Sequence, residues 1–184
     1  IELGALPSTY RYRLRTHGDA DVRGAAARLA AREAAPALQE QLREFAEVPE
    51  LDGDPAMGLA IFLERCATCH ELKGYGQAVG PDLRAIRDWD TGRIVTCVAQ
   101  PNAESNPQYV AYEVETADGR YYAGILDSET ATSVTLKMSG SAPTILKSQI
   151  ESATPMEISL MPEDLAIDLD AQRVADLIAF LREE

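Results

Sequence analysis

The sequence predicts a mainly α-helical chain with an inserted small antiparallel β-barrel and an N-terminal helical segment. Apolar residues recur with helical spacing near both ends, while short polar–apolar alternations separated by turn residues fill the middle. The 184 residues are enough for one or two domains. We place the helical segment at residues 1–50, a discontinuous helical domain at 51–106 and 155–184, and the barrel at 107–154.

Acidic residues dominate the charge of the chain. The 30 Asp and Glu residues exceed the 17 Lys and Arg residues, which gives a formal net charge of −13. This balance argues against binding to nucleic acid or to anionic membrane surfaces, both of which favour basic patches. It indicates protein partners with a basic docking face instead. No apolar run reaches the ~20 residues of a membrane span, and no signal peptide is recognisable at the start.

Residues 1–50 predict a pair of helices. One apolar stripe precedes Pro36 and a second follows it, so we place a helix N-terminus at this proline. The pair looks like a HEAT-like repeat unit, which cannot bury its apolar faces alone, so we expect it to pack on the helical domain of residues 51–106 and 155–184. The apolar stripe before Pro36 consists of Val22, Ala25, Ala26 and Leu29, and the stripe after it consists of Leu38, Leu42 and Phe45. His17 is expected in a surface loop.

The most informative motif is Cys66-Ala67-Thr68-Cys69-His70. A C-x-x-C-H spacing is typical of covalent c-type haem attachment. Two thiols one helical turn apart can form thioethers with the haem vinyl groups, and the histidine supplies a neutral imidazole to the iron. We therefore expect one covalent haem held by Cys66 and Cys69, with His70 as an iron ligand.

Two other uses of these cysteines are less favoured. A structural zinc site needs four ligands, and only Cys97 and His17 remain to complete one. A thioredoxin-like redox pair would need a βαβ context, whereas the flanks here are helical. Cys97 is interpreted as a small buried apolar residue.

The flanks of the motif predict how it is held. Asp54 is a suitable N-cap for the preceding helix, and Gly58 and Phe62 share one face of that helix. Residues 170–181 predict an amphipathic terminal helix, with Asp168 or Asp170 as its N-cap, which we expect to cross the first one. Downstream, the Gly-Pro turn ending at Pro81 can present a backbone carbonyl to the second ring nitrogen of the histidine and fix its tautomer.

A second axial ligand is expected from a methionine. Met161 is favoured, because Pro162 biases it toward an extended conformation in a rigid loop. Met156 and His17 remain as alternatives. Met57 and Met138 are interpreted as core residues.

Together, the glycine-bearing helix, the C-x-x-C-H motif, the Gly-Pro turn, Met161-Pro162 and the terminal helix resemble a class I cytochrome c over residues 52–184. More narrowly, the chain is similar to the C-terminal haem-binding domain of large secreted planctomycete and verrucomicrobial proteins that contain dehydrogenase-like regions. The resemblance implies a class I cytochrome c fold and a mono-haem electron carrier, not itself an enzyme, with His70 and Met161 as axial ligands. It also implies a fused or partner dehydrogenase as electron donor.

Covalent haem is attached outside the bacterial cytoplasm. The resemblance therefore implies a periplasmic or otherwise exported protein whose leader has been removed. The competing hypotheses are a haem-based sensor with a displaceable Met161, and an interaction module whose barrel carries the function.

Residues between His70 and Met161 are more numerous than a small class I cytochrome needs, which indicates an insertion. Four or five short strands are predicted there, with Asp118-Gly119 as a hairpin turn and Gly124 as a bulge or bend. We interpret them as a small open barrel, SH3-like or Lsm-like, that covers one side of the haem loop or docks against a partner. The predicted strands are 109–115, 120–126, 133–138, 144–146 and 150–154, and the tyrosines assigned to packing are Tyr109, Tyr112, Tyr121 and Tyr122.

Two further residues near the Gly-Pro turn are candidate cofactor contacts. The guanidinium of Arg84 or the indole N–H of Trp89 could bind a haem propionate. Ordinary surface or core placement is the alternative for both.

Overall fold

The computed structural model describes residues 14, 17–103, 106–156, 158–163, 165–166 and 168–183, with the backbone alone for 30–39. The chain divides into two compact units. The sheet unit consists of Ile1–Ala37 and Ser105–Asp164, and the helical unit of Leu38–Glu104 and Leu165–Glu184. This division cuts the N-terminal segment near residue 38, and it groups residues 155–164 with the strands instead of with the helices.

The N-terminal segment contains one long α-helix, followed by a 3-10 helix over Phe45–Glu50. Helix α1 runs over Ala20–Glu44 without a break, so the prediction of two helices separated at Pro36 was wrong. A proline inside a helix removes one backbone hydrogen bond, at a cost of about 3 kcal/mol. The surrounding sequence is rich in alanine, the strongest helix former, and favours continuation through the proline. Asp19 begins the helix by accepting the backbone N–H of Asp21 at 2.8 Å.

Three further helices build the helical unit, each started by an aspartate side chain that accepts a backbone N–H. Helix α2 spans Pro55–Ile61, α3 spans Thr91–Ala99 and α4 spans Ala171–Arg182. Their caps are Asp54, Asp90 and Asp170, as expected for the first and last of these helices. The core between them includes Phe45, Val48, Phe62, Ile94, Val174, Leu177 and Ile178.

Helices α2 and α4 cross at Gly58, which confirms the predicted crossing. A Cβ atom at Gly58 would overlap the backbone carbonyl of Asp176 and would lie 2.7 Å from Cβ of Phe180. Beside this contact, the Phe62 and Phe180 rings are tilted, with centroids 5.4 Å apart.

Asp176 is a buried carboxylate at the same crossing, with 6% of its surface exposed. Its Oδ1 accepts the backbone N–H of Asp54 at 2.9 Å and the side-chain amide of Gln172 at 2.9 Å. The cost of burying this carboxylate is thus offset by one hydrogen bond from the start of α2 and one from Gln172 of α4.

The sheet unit contains five antiparallel strands, close to the predicted ones. They are β3 Ala111–Thr116, β4 Tyr121–Glu129, β5 Ser133–Lys137, β6 Thr144–Leu146 and β7 Ile150–Pro155, and they follow two short strands of the helical unit, β1 Glu71–Leu72 and β2 Tyr75–Gly76. Their order is β6-β5-β4-β3-β7, so the strands form an open sheet that does not close into a barrel. The two outer strands are not paired with each other. With this sheet, the chain is mixed helix and strand, and the description "mainly α" fits the helical unit alone.

The irregularity that was predicted at Gly124 lies at another position of β4. Gly124 pairs in register with Tyr112, and the register shift falls between Leu126 and Ser128. A Cβ at Gly124 would meet the backbone oxygen of Lys137 at 2.7 Å, so close strand approach explains this glycine.

The interior of the sheet is small and aliphatic. Val114, Leu136 and Ile145 form its buried centre, with Tyr112 and Tyr122 packed against it, as predicted for these two tyrosines. Within the same unit, Arg23 of α1 forms an ion pair with Glu113 at 3.3 Å, and its guanidinium lies 4.6 Å from the ring centroid of Tyr121. The first half of α1 therefore contacts the sheet.

Over the described residues, no helix is both long and apolar enough to cross a membrane.

Candidate functional site

The C-x-x-C-H segment begins in a π-helical turn. Helix α2 passes directly into this turn, Phe62–Cys66, in which Ala67 N–H donates to the Phe62 carbonyl at 2.8 Å. The carbonyl of Cys66 then accepts from the backbone N–H groups of Cys69 at 3.0 Å and His70 at 2.9 Å. The two cysteines and the histidine are thus held on one hydrogen-bonded turn. A π-helical turn at the end of a helix is frequent at functional sites.

After His70 the chain folds back on this turn. A two-stranded hairpin, β1 Glu71–Leu72 and β2 Tyr75–Gly76, reverses its direction. The returning segment then binds the motif itself, because Cys69 O accepts from Val79 N–H at 3.1 Å and from Gly80 N–H at 2.7 Å. These bonds close residues 66–81 into a compact loop.

The imidazole of His70 is fixed through one of its two nitrogens. Nδ1 lies 2.8 Å from the Pro81 carbonyl, which can only accept, so Nδ1–H donates and Nε2 is left for a metal. This is the carbonyl contact that the Gly-Pro turn predicted. Burial lowers the pKa of His70, and the bond to Pro81 opposes that shift only in part. The histidine is therefore kept neutral, as metal ligation requires.

Gly80 leaves room for this ring. A Cβ at Gly80 would lie 2.7 Å from His70 Cε1 and 3.1 Å from Nδ1, so any side chain would push the imidazole.

Both motif cysteines are protonated thiols at neutral pH. Burial raises the pKa of Cys66 to about 12, with a further rise from Cys69 and an opposing effect of Arg65. Burial also raises the pKa of Cys69. Cys97, on α3, is half-buried, somewhat more accessible than predicted.

These observations fit a covalently attached haem. Two thiols and a neutral imidazole with Nε2 available stand on one turn, and a glycine makes space for the ring. Within the described ranges, no three His, Cys, Asp or Glu side chains are grouped as a metal site would need.

Residues 55–135 match the family model for cytochrome c. Cytochrome c domains carry a covalently attached c-type haem with iron and generally act as electron carriers, so the match supports a haem-binding electron-transfer domain. The matched range covers α2, the C-x-x-C-H turn, the Gly-Pro turn and α3, and it ends within β5. It leaves Met161 and α4 outside. No curated protein matches the chain.

The methionines differ in their surroundings. Met161 is half-buried, and its backbone N–H donates to Oγ of Ser159 at 3.0 Å. Met156 is also half-buried, and its backbone N–H donates to Ala111 O at 2.8 Å, which extends the pairing of β7 with β3. Met57 is 56% exposed, so its assignment to the core was wrong, because it lies on the face of α2 turned away from α4. Met138 packs beside the sheet interior, as predicted.

The remaining candidates lie at the surface or beside the core. Arg84 is exposed and binds Asp82 through both Nε at 2.9 Å and Nη2 at 2.6 Å. Trp89 packs against the helical core, with the Arg93 guanidinium 3.6 Å from its ring centroid. His17 is exposed and accepts the Asp19 N–H at 3.1 Å, which agrees with its predicted loop position.

Gly80 provides a direct test of the histidine's geometry. We expect Gly80→Ala to displace the His70 ring, weaken its bond to Pro81 and raise the reduction potential of the haem-loaded protein, because the imidazole then donates less electron density. The overpacking would cost about 1–3 kcal/mol of stability. Spectroelectrochemical titration measures the potential, with Gly92→Ala on α3 as the control. Equal potentials in both variants would contradict the expectation.

Proposed function

We propose that this chain is a mono-haem electron-transfer domain, with haem attached through Cys66 and Cys69 and with His70 and Met161 as axial ligands. The observation that carries this proposal is the His70 imidazole, held at Nδ1 by Pro81 with Nε2 available, directly after two thiols on one turn. The bound haem supplies an iron that alternates between ferrous and ferric.

The protein's own residues tune and enclose that group. The Pro81 carbonyl orients His70 and increases its electron donation, which favours the ferric form. A thioether from Met161 would raise the potential again relative to more electron-donating ligand sets. The Met161-Pro162 sequence and the backbone bond to Ser159 support a rigid loop around this side chain. Binding of a propionate by Arg84 would compete with its pair to Asp82, whereas Trp89 has no such ion pair to give up.

The partners follow from charge. A chain with a net charge of −13 is suited to a redox partner that presents a basic docking face. We propose a dehydrogenase, fused or separate, as the electron donor. An exported or periplasmic location accompanies covalent haem attachment in this proposal.

A redox-poised visible spectrum of the purified protein tests the proposal. We expect covalently bound, low-spin, six-coordinate haem in both oxidation states, and loss of covalent attachment in a Cys66→Ala/Cys69→Ala variant. A protein that retains no haem after denaturation in acid solvent would refute the attachment. A five-coordinate ferrous spectrum with rapid CO binding would instead favour a sensor.

A further inference from the structure

Lys73 connects the hairpin after His70 to the end of α4. Its Nζ donates to the backbone carbonyl of Phe180 at 2.9 Å and pairs with Glu183 at 3.2 Å. The same ammonium lies 4.5 Å from the ring centroid of Phe180. A cation at the carbonyl end of a helix is favourable, because it binds an otherwise unpaired carbonyl and opposes the negative end of the helix dipole.

The backbone at Lys73 is unusual. Lys73 has φ 52° and Gly74 has φ 81°, and they join the paired residues Leu72 and Tyr75 in a two-residue turn. Two central residues with positive φ define a type I′ turn, which strongly prefers Asn-Gly or Asp-Gly. Among the described non-glycine residues, Lys73 alone has a positive φ. Lysine is therefore a disfavoured residue for this turn, but its side chain is long enough to contact the end of α4.

Phe180 contacts residues on both sides of the C-x-x-C-H turn. On one side its ring contacts Lys73, which lies on the hairpin that follows His70. The other is Phe62, whose ring centroid lies 5.4 Å away and whose carbonyl closes the π-helical turn that precedes Cys69. The hairpin also lies tightly on that turn, since a Cβ at Gly76 would come within 2.9 Å of the Ala67 carbonyl.

We propose that Lys73 is a positioning residue for the histidine ligand: it clamps the β1–β2 hairpin to the C-terminal end of α4. The hairpin leads directly into the segment whose N–H groups bind Cys69 and whose Pro81 carbonyl orients His70. Fixing the hairpin thus fixes the imidazole and, through it, the reduction potential. This inference rests on the proposed role of His70 as an axial ligand.

The test compares Lys73→Asn with Lys73→Arg in the haem-loaded protein. Asparagine suits the turn but cannot reach α4, so it removes the clamp without straining the hairpin, whereas arginine keeps both charge and reach. We expect Lys73→Asn to speed hydrogen exchange at the Val79 and Gly80 amides about tenfold and to raise the reduction potential. Lys73→Arg should restore both values.

The sign of the potential shift separates positioning from simple charge loss. Removing a positive charge near the iron destabilises the ferrous form and lowers the potential, so a fall or no change in Lys73→Asn overturns the proposal. Lys137→Asn, on the sheet unit, controls for general charge loss and should leave the two amides protected. If the wild type carries no covalent haem, the proposed function fails, while unchanged amide exchange in Lys73→Asn refutes the clamp independently.

Discussion

Met161→Ala is expected to abolish the far-red absorption band that a thioether-ligated ferric haem gives, and to lower the reduction potential. The thioether stabilises the ferrous state relative to an oxygen ligand, so its loss favours the ferric state. Axial ligands set haem potentials over a range of roughly 0.8 V, and the shift should be a clear fraction of that range. Absorption spectra of the oxidised protein and a potentiometric titration measure both effects.

Met156→Ala is the matched control. It removes a second half-buried thioether only five positions earlier, from a residue whose backbone continues the pairing with β3. We expect its far-red band and potential to match those of the wild type. A band that survives in Met161→Ala but disappears in Met156→Ala would transfer the ligand to Met156.

Gly58→Ala is expected to destabilise the helical unit by about 2 kcal/mol. The added methyl group would meet the Asp176 backbone carbonyl and the Phe180 Cβ, and neither can move without shifting α4. The gain in helix propensity, at most about 1 kcal/mol, does not offset this overpacking. Denaturant unfolding followed by haem absorbance measures the loss.

Gly24→Ala supplies the contrast for this substitution. Gly24 is also helical, but the nearest atom to its added Cβ is Nη1 of Arg28 at 3.3 Å, the far end of a flexible side chain. We expect this variant to be neutral or slightly stabilised, as judged by the far-UV circular dichroism of its unfolding. Equal destabilisation of both glycine variants would show that the helix crossing is not the cause.

Local patterns in the sequence predicted the local structure well. Aspartate caps located the starts of α2 and α4, and alternating residues located the five strands to within a few positions. The Gly-Pro turn predicted a carbonyl at His70, because eleven positions of chain suffice to return Pro81 to the imidazole. Each of these features depends on neighbouring residues or on one short loop.

Features that depend on distant packing were less predictable. Alternation does not reveal whether the two outer strands of a sheet meet, so it could not decide how far the predicted small open barrel closes. An isolated Pro36 indicates a helix boundary, yet an alanine-rich context carried α1 through it. Exposure of Met57 depends on which face of α2 meets α4. The clamp at Lys73 could have been suspected only from an atypical residue preceding Gly74 between two short strands.

The crossing of α2 with α4 has a consequence for folding order. The backbone N–H of Asp54 and the carboxylate of Asp176 bond across 122 positions, and the five strands β3 to β7 lie within that interval. Closing so long a flexible loop costs conformational entropy, and a sheet that folds first shortens the flexible part. A chain emerging from its N-terminus can therefore complete the sheet early, while the C-x-x-C-H turn acquires its packing partner only with the last helix. Until α4 arrives, Phe62 at the start of that turn lacks its ring contact with Phe180.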